Sequence, residues 1–318
     1  MKRSKCALVL AMLIGLVGRA AFAAEPVEVG SVGSSSANLW PVVIGLSKNF
    51  FAQHGLAVDL VFADSNAAAI QQLAAGSLNL TVGSGLVDPL RAINQGAGLA
   101  VVRIEMPYPA YSLLASSTIK RIEDLAGKTI SVGGAKDITR IYLERMLVPH
   151  GLSPGHYDLV YAGATSARFA ALEAGAVAAA LIAPPFSFKA QSDGFTNLGE
   201  ALTYAHDLPF SGTVTQRSWA AGHLATLRSF LAAETDAINW FYDPQNSEEA
   251  VQIMVNRFHA DPAEMRVSSQ YYRSNELFDR SGVVGAAELK AVVQALQQTG
   301  DLPAGFDPQQ LLLKELQQ

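Results

Sequence analysis

The fold is decided by the stretch DLVFADSNAAAIQQLAAG at residues 59–76, because it recurs as DLVYAGATSARFAALEAG at residues 158–175. Two shorter motifs recur in the same order, Ser31-Val32-Gly33 at 131–133 and His54-Gly55-Leu56 at 150–152. The offsets lie between 96 and 100 residues. Blocks that return in one order at a nearly constant offset indicate an internal structural repeat.

Each repeat is predicted to alternate strands and helices. The first unit has a helix that opens at Asn38 and ends at Gly55, with apolar residues on one face at Leu39, Val43, Leu46 and Phe50. Asn66 is the expected N-cap of the next helix, and Asp137 and Thr165 are the expected N-caps in the second unit. Alternating elements with short connections predict an α/β protein with a parallel sheet in each unit.

The repeat also predicts the domain organisation. The turn-rich segment 105–109 is expected to cross from the first unit to the second. From about Phe210 a short strand leads into mostly helical sequence, which is expected to return to the first unit. We therefore expect lobe 1 at residues 24–107 plus 206–318, and lobe 2 at residues 108–205.

The first 23 residues have the pattern of a cleaved secretory signal. Basic residues precede an apolar run of about a dozen residues, too short for a stable membrane span, and Ala21-Phe22-Ala23 supplies the cleavage site. Removal of Lys2, Arg3, Lys5 and Arg19 takes away four positive charges and lowers the formal net charge from −5 to −9. The mature chain is expected to be exported and monomeric, and its acidity argues against nucleic acid as a partner.

The sequence supports little metal or covalent chemistry. The single cysteine, Cys6, lies in the signal, so the mature chain has no thiolate for a disulfide or a metal site. The six histidines show no metal-binding spacing, and neither a nucleophile elbow nor a phosphate-binding loop is present. No catalytic residue, metal ion or cofactor is predicted.

A ligand site is predicted between the two lobes. In open α/β sheets, ligands bind beyond the carboxyl ends of the strands, where helix N-termini offer free N–H groups. The loops at 34–38, 64–66, 134–137 and 163–166, together with Gly83-Ser84-Gly85, are expected at this edge. The candidate ligand-binding residues are Ser34, Ser35, Asn38, Trp40, Ser65, Asn66, Ser84, Gly134, Lys136, Thr165 and Arg168.

Each candidate has a structural alternative. The serines at 34–36 fit a solvated loop, Trp40 fits a core position, and Ser84 fits a tight turn. Arg168 is the strongest candidate for an anion contact, because it lies in the first turn of its helix, where a cation opposes the helix dipole. No acidic neighbour on that helix offsets the charge, whereas Arg140 has Glu144 four residues later.

Several motifs resemble a known family, the substrate-binding proteins of ABC importers for sulfonate, taurine or nitrate and the related thiamine-pyrimidine-binding proteins. The resemblance lies in KNFFAQHGL at 48–56, QLAAG at 72–76, IEDLAGKTI at 122–130 and DPQNSEEA at 243–250. It implies a type II periplasmic binding protein fold with two βαβ-built lobes around a cleft. It further implies a periplasmic protein that delivers a small organic anion or heterocycle to an ABC permease in the inner membrane.

An enzyme of cofactor biosynthesis on the same two-lobed fold is the alternative hypothesis. Pyrimidine-synthesising relatives carry a cysteine-rich motif, which the mature chain lacks. The predicted export signal also favours the binding protein.

Overall fold

The computed structural model describes residues 24–33, 37–282 and 284–316. In these residues two five-stranded sheets form. The strands, β1 to β10 in chain order, are Glu25–Val32, Leu56–Ala63, Leu80–Gly85, Leu99–Met106, Ser112–Ala115, Thr129–Val132, Asp158–Tyr161, Ala179–Ile182, Thr196–Glu200 and Ser211–Gln216. Sheet 1 has the order β2-β1-β3-β10-β4, and sheet 2 has the order β7-β6-β8-β5-β9.

The predicted repeat is confirmed as a repeat of topology. In sheet 1, β1 pairs in parallel with β2 and β3, and in sheet 2, β6 pairs in parallel with β7 and β8. The predicted parallel pairing within each repeat unit is thus confirmed, and each sheet also contains one strand from outside its unit, β10 or β5, which runs antiparallel to both of its neighbours. Each of these strands arrives directly from the other sheet, so it enters at the edge where the parallel strands end.

The chain therefore crosses between the sheets twice. It leaves sheet 1 from the edge strand β4 and enters sheet 2 as β5, through residues 107–111. It leaves sheet 2 from the edge strand β9 and returns as β10, through residues 201–210. The two crossovers are equivalent. Both lie at the carboxyl ends of the parallel strands, where the two sheets face each other.

Helices cover both sheets. In the described residues they are, as α1 to α13, Trp40–Ser47, Phe50–Gln53, Asn66–Ala74, Val87–Asn94, Ile138–Leu147, Thr165–Glu173, Phe186–Ser192, Ala201–Ala205, Arg217–Gly222, Leu224–Tyr242, Ser247–Phe258, Pro262–Ser274 and Ala286–Gln298. Helices α10 and α11 pack against α1, which places the helical C-terminal part on sheet 1. None of the helices in the described part of the chain is long and apolar enough to cross a membrane.

Helix boundaries differ from the predictions at three places. The helix predicted from Asn38 to Gly55 is interrupted at Asn49, which has a left-handed φ of 60°. Ser65, not Asn66, is the N-cap of α3, and its side chain accepts a hydrogen bond from the Ala68 N–H. Ala164, not Thr165, is the N-cap of α6, whereas Asp137 caps α5 as predicted.

A buried cluster of charged side chains joins β4, β10 and α10. The Glu105 carboxylate accepts hydrogen bonds from the Gly83 N–H at 2.6 Å, the Thr213 hydroxyl at 2.8 Å and the Ser211 hydroxyl at 3.2 Å. Glu234 lies 3.6 Å from the Arg103 guanidinium. All three charged residues are at most 4% exposed, so one guanidinium faces two carboxyl groups in the core.

This imbalance keeps a proton in the cluster. Burial raises the pKa of the Glu105 carboxyl, and the neighbouring Glu234 raises it further, against the opposing effect of Arg103. Burial likewise raises the pKa of Glu234. With one proton on the pair, the cluster is electrically neutral, which is the state that a low-dielectric core favours.

We expect Glu105→Gln to flatten the pH dependence of stability. The folded-state pKa of Glu105 lies above its ordinary value of 4.5. The protonated carboxyl therefore contributes its full stabilisation when the pH is below its ordinary pKa. This contribution is lost as the pH rises toward the folded-state pKa. The loss amounts to at most about 1.4 kcal/mol per pH unit for one proton. Denaturant unfolding between pH 5 and pH 8 measures the slope. The exposed control Glu28→Gln should keep the wild-type slope, and an equal slope in Glu105→Gln would contradict this account.

Candidate functional site

A cavity of about 270 Å³ lies between the carboxyl ends of the two sheets. Helices α3, α4, α5 and α6 all begin at its wall. The sheet 1 side of the wall includes Gly33, Asn38, Ser65, Asn66, Gly83, Gly85 and Asp88. The sheet 2 side includes Tyr111, residues 133–139 and 163–166, Arg168 and Phe186, and Phe210 lies on the returning crossover.

The sheet 1 wall is organised by two asparagines. The Asn66 side-chain N–H₂ group donates to the Gly85 carbonyl at 2.9 Å and to the Asp88 carboxylate at 2.6 Å. The Asn38 N–H₂ group donates to the Gly83 carbonyl at 3.0 Å. Since each amide nitrogen faces an acceptor, the amide oxygens of both residues are turned away from these partners. These bonds fix both side chains to the last residues of β3.

The backbone at Gly83, near the end of β3, requires glycine. Its φ is +62°, and a Cβ atom there would lie 2.7 Å from the Asn38 amide nitrogen. The Gly83 N–H donates to the buried Glu105 carboxylate, so the charged cluster in the core holds this part of the cavity wall.

Arg168 dominates the sheet 2 wall. Its guanidinium donates to the Leu181 carbonyl and to the Thr165 hydroxyl, both at 2.8 Å, and to the Gly163 carbonyl. The Tyr111 ring lies beneath it, with the ring centroid 5.6 Å from Cζ. The residue is 3% exposed, and no carboxylate of the described residues lies within ion-pairing distance. Its positive charge is thus buried without a direct ion pair, and the Asp137 carboxylate lies within about 6 Å of it.

Asp137 lies on the same wall as Arg168. One of its carboxylate oxygens accepts from the Thr139 N–H at 2.9 Å and from the Thr139 hydroxyl. Gly133 makes room for both charged groups, because a Cβ atom there would lie 2.7 Å from the Asp137 carboxylate and 3.2 Å from an Arg168 nitrogen. Asp137 therefore acts as a helix cap and contributes negative charge to the cavity.

Two titratable groups of the cavity have shifted pKa values. Burial raises the pKa of the Asp88 carboxyl to about 6, Asp137 and Asp301 raise it further, and Asn66 and Arg91 oppose the shift. Burial raises the pKa of the Tyr111 hydroxyl to about 12, although the Arg168 charge opposes it. Tyr111 therefore remains a neutral O–H group over the physiological pH range.

The two sides of the cavity are joined by contacts across its rim. Arg91 on α4 donates to the Lys136 carbonyl, and its guanidinium lies 3.0 Å from the Asp301 carboxylate. The Lys136 ammonium lies 3.2 Å from the same carboxylate. Partial burial opposes ionisation of Asp301, but hydrogen bonds from Arg91 and Thr299 lower its pKa to about 2. We define Arg91, Asp301 and Lys136 as the rim clamp.

The structure brings most of the candidate residues together. Asn38, Ser65, Asn66, Gly134, Lys136, Thr165 and Arg168 line the cavity. Trp40 and Ser84 do not line it. Trp40 is fully buried and packs against Phe241 with ring centroids 5.2 Å apart, and the Ser84 side chain is also fully buried. Ser34 and Ser35 lie outside the described residues.

Several wall residues were not predicted from the sequence. Asp88 lies inside α4 rather than in a loop, and Tyr111 and Phe210 lie in the two crossovers. The position of Asp88, five residues after Gly83 at the end of β3, was the available signal for its place at the carboxyl edge. Among the described residues, no group of three or more histidine, cysteine, aspartate or glutamate side chains could hold a metal ion.

Solved structures of other proteins share this architecture. The alkanesulfonate-binding protein SsuA from Xanthomonas axonopodis pv. citri, bound to MOPS, matches with a TM-score of 0.76 and 19% identity, over 91% of this chain and 98% of that chain. The periplasmic aliphatic sulphonate binding protein SsuA from Escherichia coli matches with a TM-score of 0.73 and 21% identity, over 92% and 98%. The periplasmic nitrate-binding protein NrtA from Synechocystis PCC 6803 matches with a TM-score of 0.76 and 14% identity, over 92% and 87%.

These neighbours establish the fold of the chain as that of periplasmic binding proteins, as the sequence motifs predict. No protein of curated function matches the chain significantly in sequence. The family described as NMT1/THI5 like matches residues 36–247, which is well over half of the sequence. The chain is therefore a member of the NMT1/THI5-like family.

Proposed function

We propose that this protein is an extracytoplasmic solute-binding protein of an ABC importer. It captures a small organic anion, such as a sulfonate, a carboxylate or a nitrate-like ion, or a small heterocycle, and delivers it to a permease in the inner membrane. Its lobes are residues 24–107 plus 206–318 and residues 108–205, with the ligand enclosed between them. The structural neighbours, which are sulfonate-binding and nitrate-binding proteins, support this proposal.

The unpaired charge of Arg168 is the observation that carries the proposal. A guanidinium has five N–H groups, and three neutral acceptors of the protein occupy one each. The Tyr111 hydroxyl is a further neutral partner, and no carboxylate of the described residues forms a direct ion pair with the guanidinium at this cavity wall. A buried charge whose direct partners are all neutral favours an additional anion, so an anionic group of the ligand is the natural partner.

Location and assembly belong to the same proposal. The leader at residues 1–23 lies outside the described residues, and we propose that it directs export to the periplasm and is cleaved after Ala23. We further propose that the protein acts as a monomer and does not transform its ligand. Conversion of a bound ligand during incubation would instead support the alternative of an enzyme of cofactor biosynthesis.

Arg168→Ala should weaken binding of an anionic ligand by about 1.5 to 3 kcal/mol, the range of a charge-assisted hydrogen bond. A thermal-shift screen of sulfonates, carboxylates, nitrate and pyrimidines identifies a ligand, and calorimetric titration then gives the affinity. Arg145→Ala is the matched control, because Arg145 lies on α5 and pairs with Asp207 away from the cavity wall. Unchanged affinity in a folded Arg168→Ala variant would refute this role for Arg168.

Binding should also close the two lobes, because each supplies only half of the cavity wall. Small-angle scattering should give a smaller radius of gyration with saturating ligand than without it. Lys136→Ala removes one member of the rim clamp and should increase the radius of the ligand-free protein toward that of an open form. An identical radius with and without ligand would contradict closure.

A further inference from the structure

Tyr111 supports the Arg168 guanidinium in the cavity wall. The guanidinium carbon lies 5.6 Å from the centroid of the Tyr111 ring, and the Tyr111 hydroxyl is a hydrogen-bond partner of both Arg168 and Thr165. Tyr111 is 7% exposed and Arg168 is 3% exposed. A cation is attracted to the face of an aromatic ring most strongly where water is excluded. Tyr111 therefore restricts the positions that the guanidinium can take.

The other contacts of Arg168 come from the second repeat unit. Its acceptor Leu181 lies on β8, and its acceptors Gly163 and Thr165 lie at the start of α6. Tyr111 instead is the last residue of the first crossover, directly before β5. Of the residues named as contacts of Arg168, Tyr111 is thus the one whose position depends on the connection between the lobes.

Tyr111 also contacts both ends of the second crossover. Its carbonyl accepts a hydrogen bond of 2.8 Å from the N–H of Ala201, the first residue of that crossover. Its ring meets the ring of Phe210, the last residue, edge to face, with the centroids 5.1 Å apart and the planes at 83°. The Phe210 N–H donates to the carbonyl of Met106, the last residue of β4, at 2.9 Å. The ring contact therefore joins sheet 2 to sheet 1 at the crossovers.

A change in the angle between the lobes acts on this ring contact. Phe210 is bound to the end of β4 in sheet 1, whereas Tyr111 continues directly into β5 of sheet 2. Movement of one sheet relative to the other therefore displaces the two rings from their edge-to-face geometry. Because Tyr111 also contacts Arg168, the position of the guanidinium depends on how the two crossovers are packed.

We propose that Tyr111 is a positioning residue for Arg168: packed against Phe210, it holds the guanidinium in the orientation that binds an anion, and this orientation depends on the packing of the two crossovers. The inference rests on the proposed function and adds to it a link between the crossovers and the affinity for an anion. Tyr111 then acts on the ligand through Arg168.

The test compares two substitutions of Tyr111 by calorimetric titration of the purified mature protein with ethanesulfonate, propionate and nitrate. Tyr111→Leu removes the ring and should weaken binding of the anions by about tenfold, the effect of one desolvated cation–π contact. Tyr111→Phe keeps the ring and its contact with Phe210, so the affinity should stay within about threefold of the wild type.

A double-mutant cycle separates positioning of Arg168 from a merely structural role. In the Arg168→Ala background, Tyr111→Leu should change the affinity by less than about twofold, because the group that it positions is absent. A direct contact of Tyr111 with the anion would instead weaken binding about tenfold in both backgrounds.

Phe210→Leu reaches the same ring contact from sheet 1 and serves if Tyr111→Leu does not fold. It should weaken binding by about threefold, and this loss should also disappear in the Arg168→Ala background. Phe51→Leu is the matched control, because it removes a buried ring that stacks on Phe230 in the core, with centroids 5.0 Å apart. It should bind the anions as the wild type does.

Wild-type affinity in folded Tyr111→Leu, or a loss that persists undiminished in the Arg168→Ala background, would overturn the inference and leave the proposed function standing. If the wild-type protein binds none of the three anions, the proposed capture of an anion fails, and the inference fails with it.

Discussion

The carboxyl group of Glu105 is the constraint on which the cavity depends. It lies in the core, yet it receives hydrogen bonds from the Gly83 N–H near the end of β3 and from two side chains of β10. Strand β10 is the one that returns from sheet 2 and runs antiparallel between β3 and β4. One acceptor group thus holds the returning strand and the end of β3 together. The Gly83 carbonyl also accepts the hydrogen bond from the Asn38 side chain. The buried carboxyl group of Glu105 therefore helps to position the Asn38 amide at the cavity.

The two sides of the cavity carry different polar groups because the two repeats have different residues at equivalent positions. Ala69 in the first unit corresponds to Arg168 in the second, and Asn66 corresponds to Thr165. In the second unit the Thr165 hydroxyl holds the guanidinium in place. In the first unit the Asn66 amide instead reaches across to the Asp88 carboxylate. The same backbone frame therefore presents a cation on one side and acceptors on the other.

Much of this arrangement is predictable from the sequence, because the alternation of strands and helices in each lobe follows from the repeat. Glycines and alternating apolar segments locate the loops at the carboxyl edges, and Arg168 stands out as an uncompensated cation in a first helical turn. The exact N-cap residues of the helices are harder to predict from the sequence. Ser65 and Asn66 are both good N-cap residues, and local sequence does not decide which of two neighbours accepts the first N–H bond.

Other features depend on contacts between distant segments. Asp88 reaches the cavity because it lies in the first turn of α4, which begins at the carboxyl end of β3, and Tyr111 reaches it because the crossover passes beneath Arg168. The antiparallel direction of β5 and β10 follows only once both crossovers are placed on the same edge. Trp40, in contrast, was a candidate for the cavity but does not reach it. This aromatic side chain beside a predicted loop packs in the core against Phe241.

The arrangement of Arg91 connects the ligand site with the contacts across the rim. Arg91 is shared between Asp88 in the cavity and Asp301 in the rim clamp, and its N–H also reaches the Lys136 carbonyl on the other side. Since Asp301 also binds Lys136, two cations and two carboxylates form one network that runs from the cavity to the rim. An electrostatic change at Asp88 therefore acts on the contacts that join the two sides through one guanidinium rather than through a change in the fold.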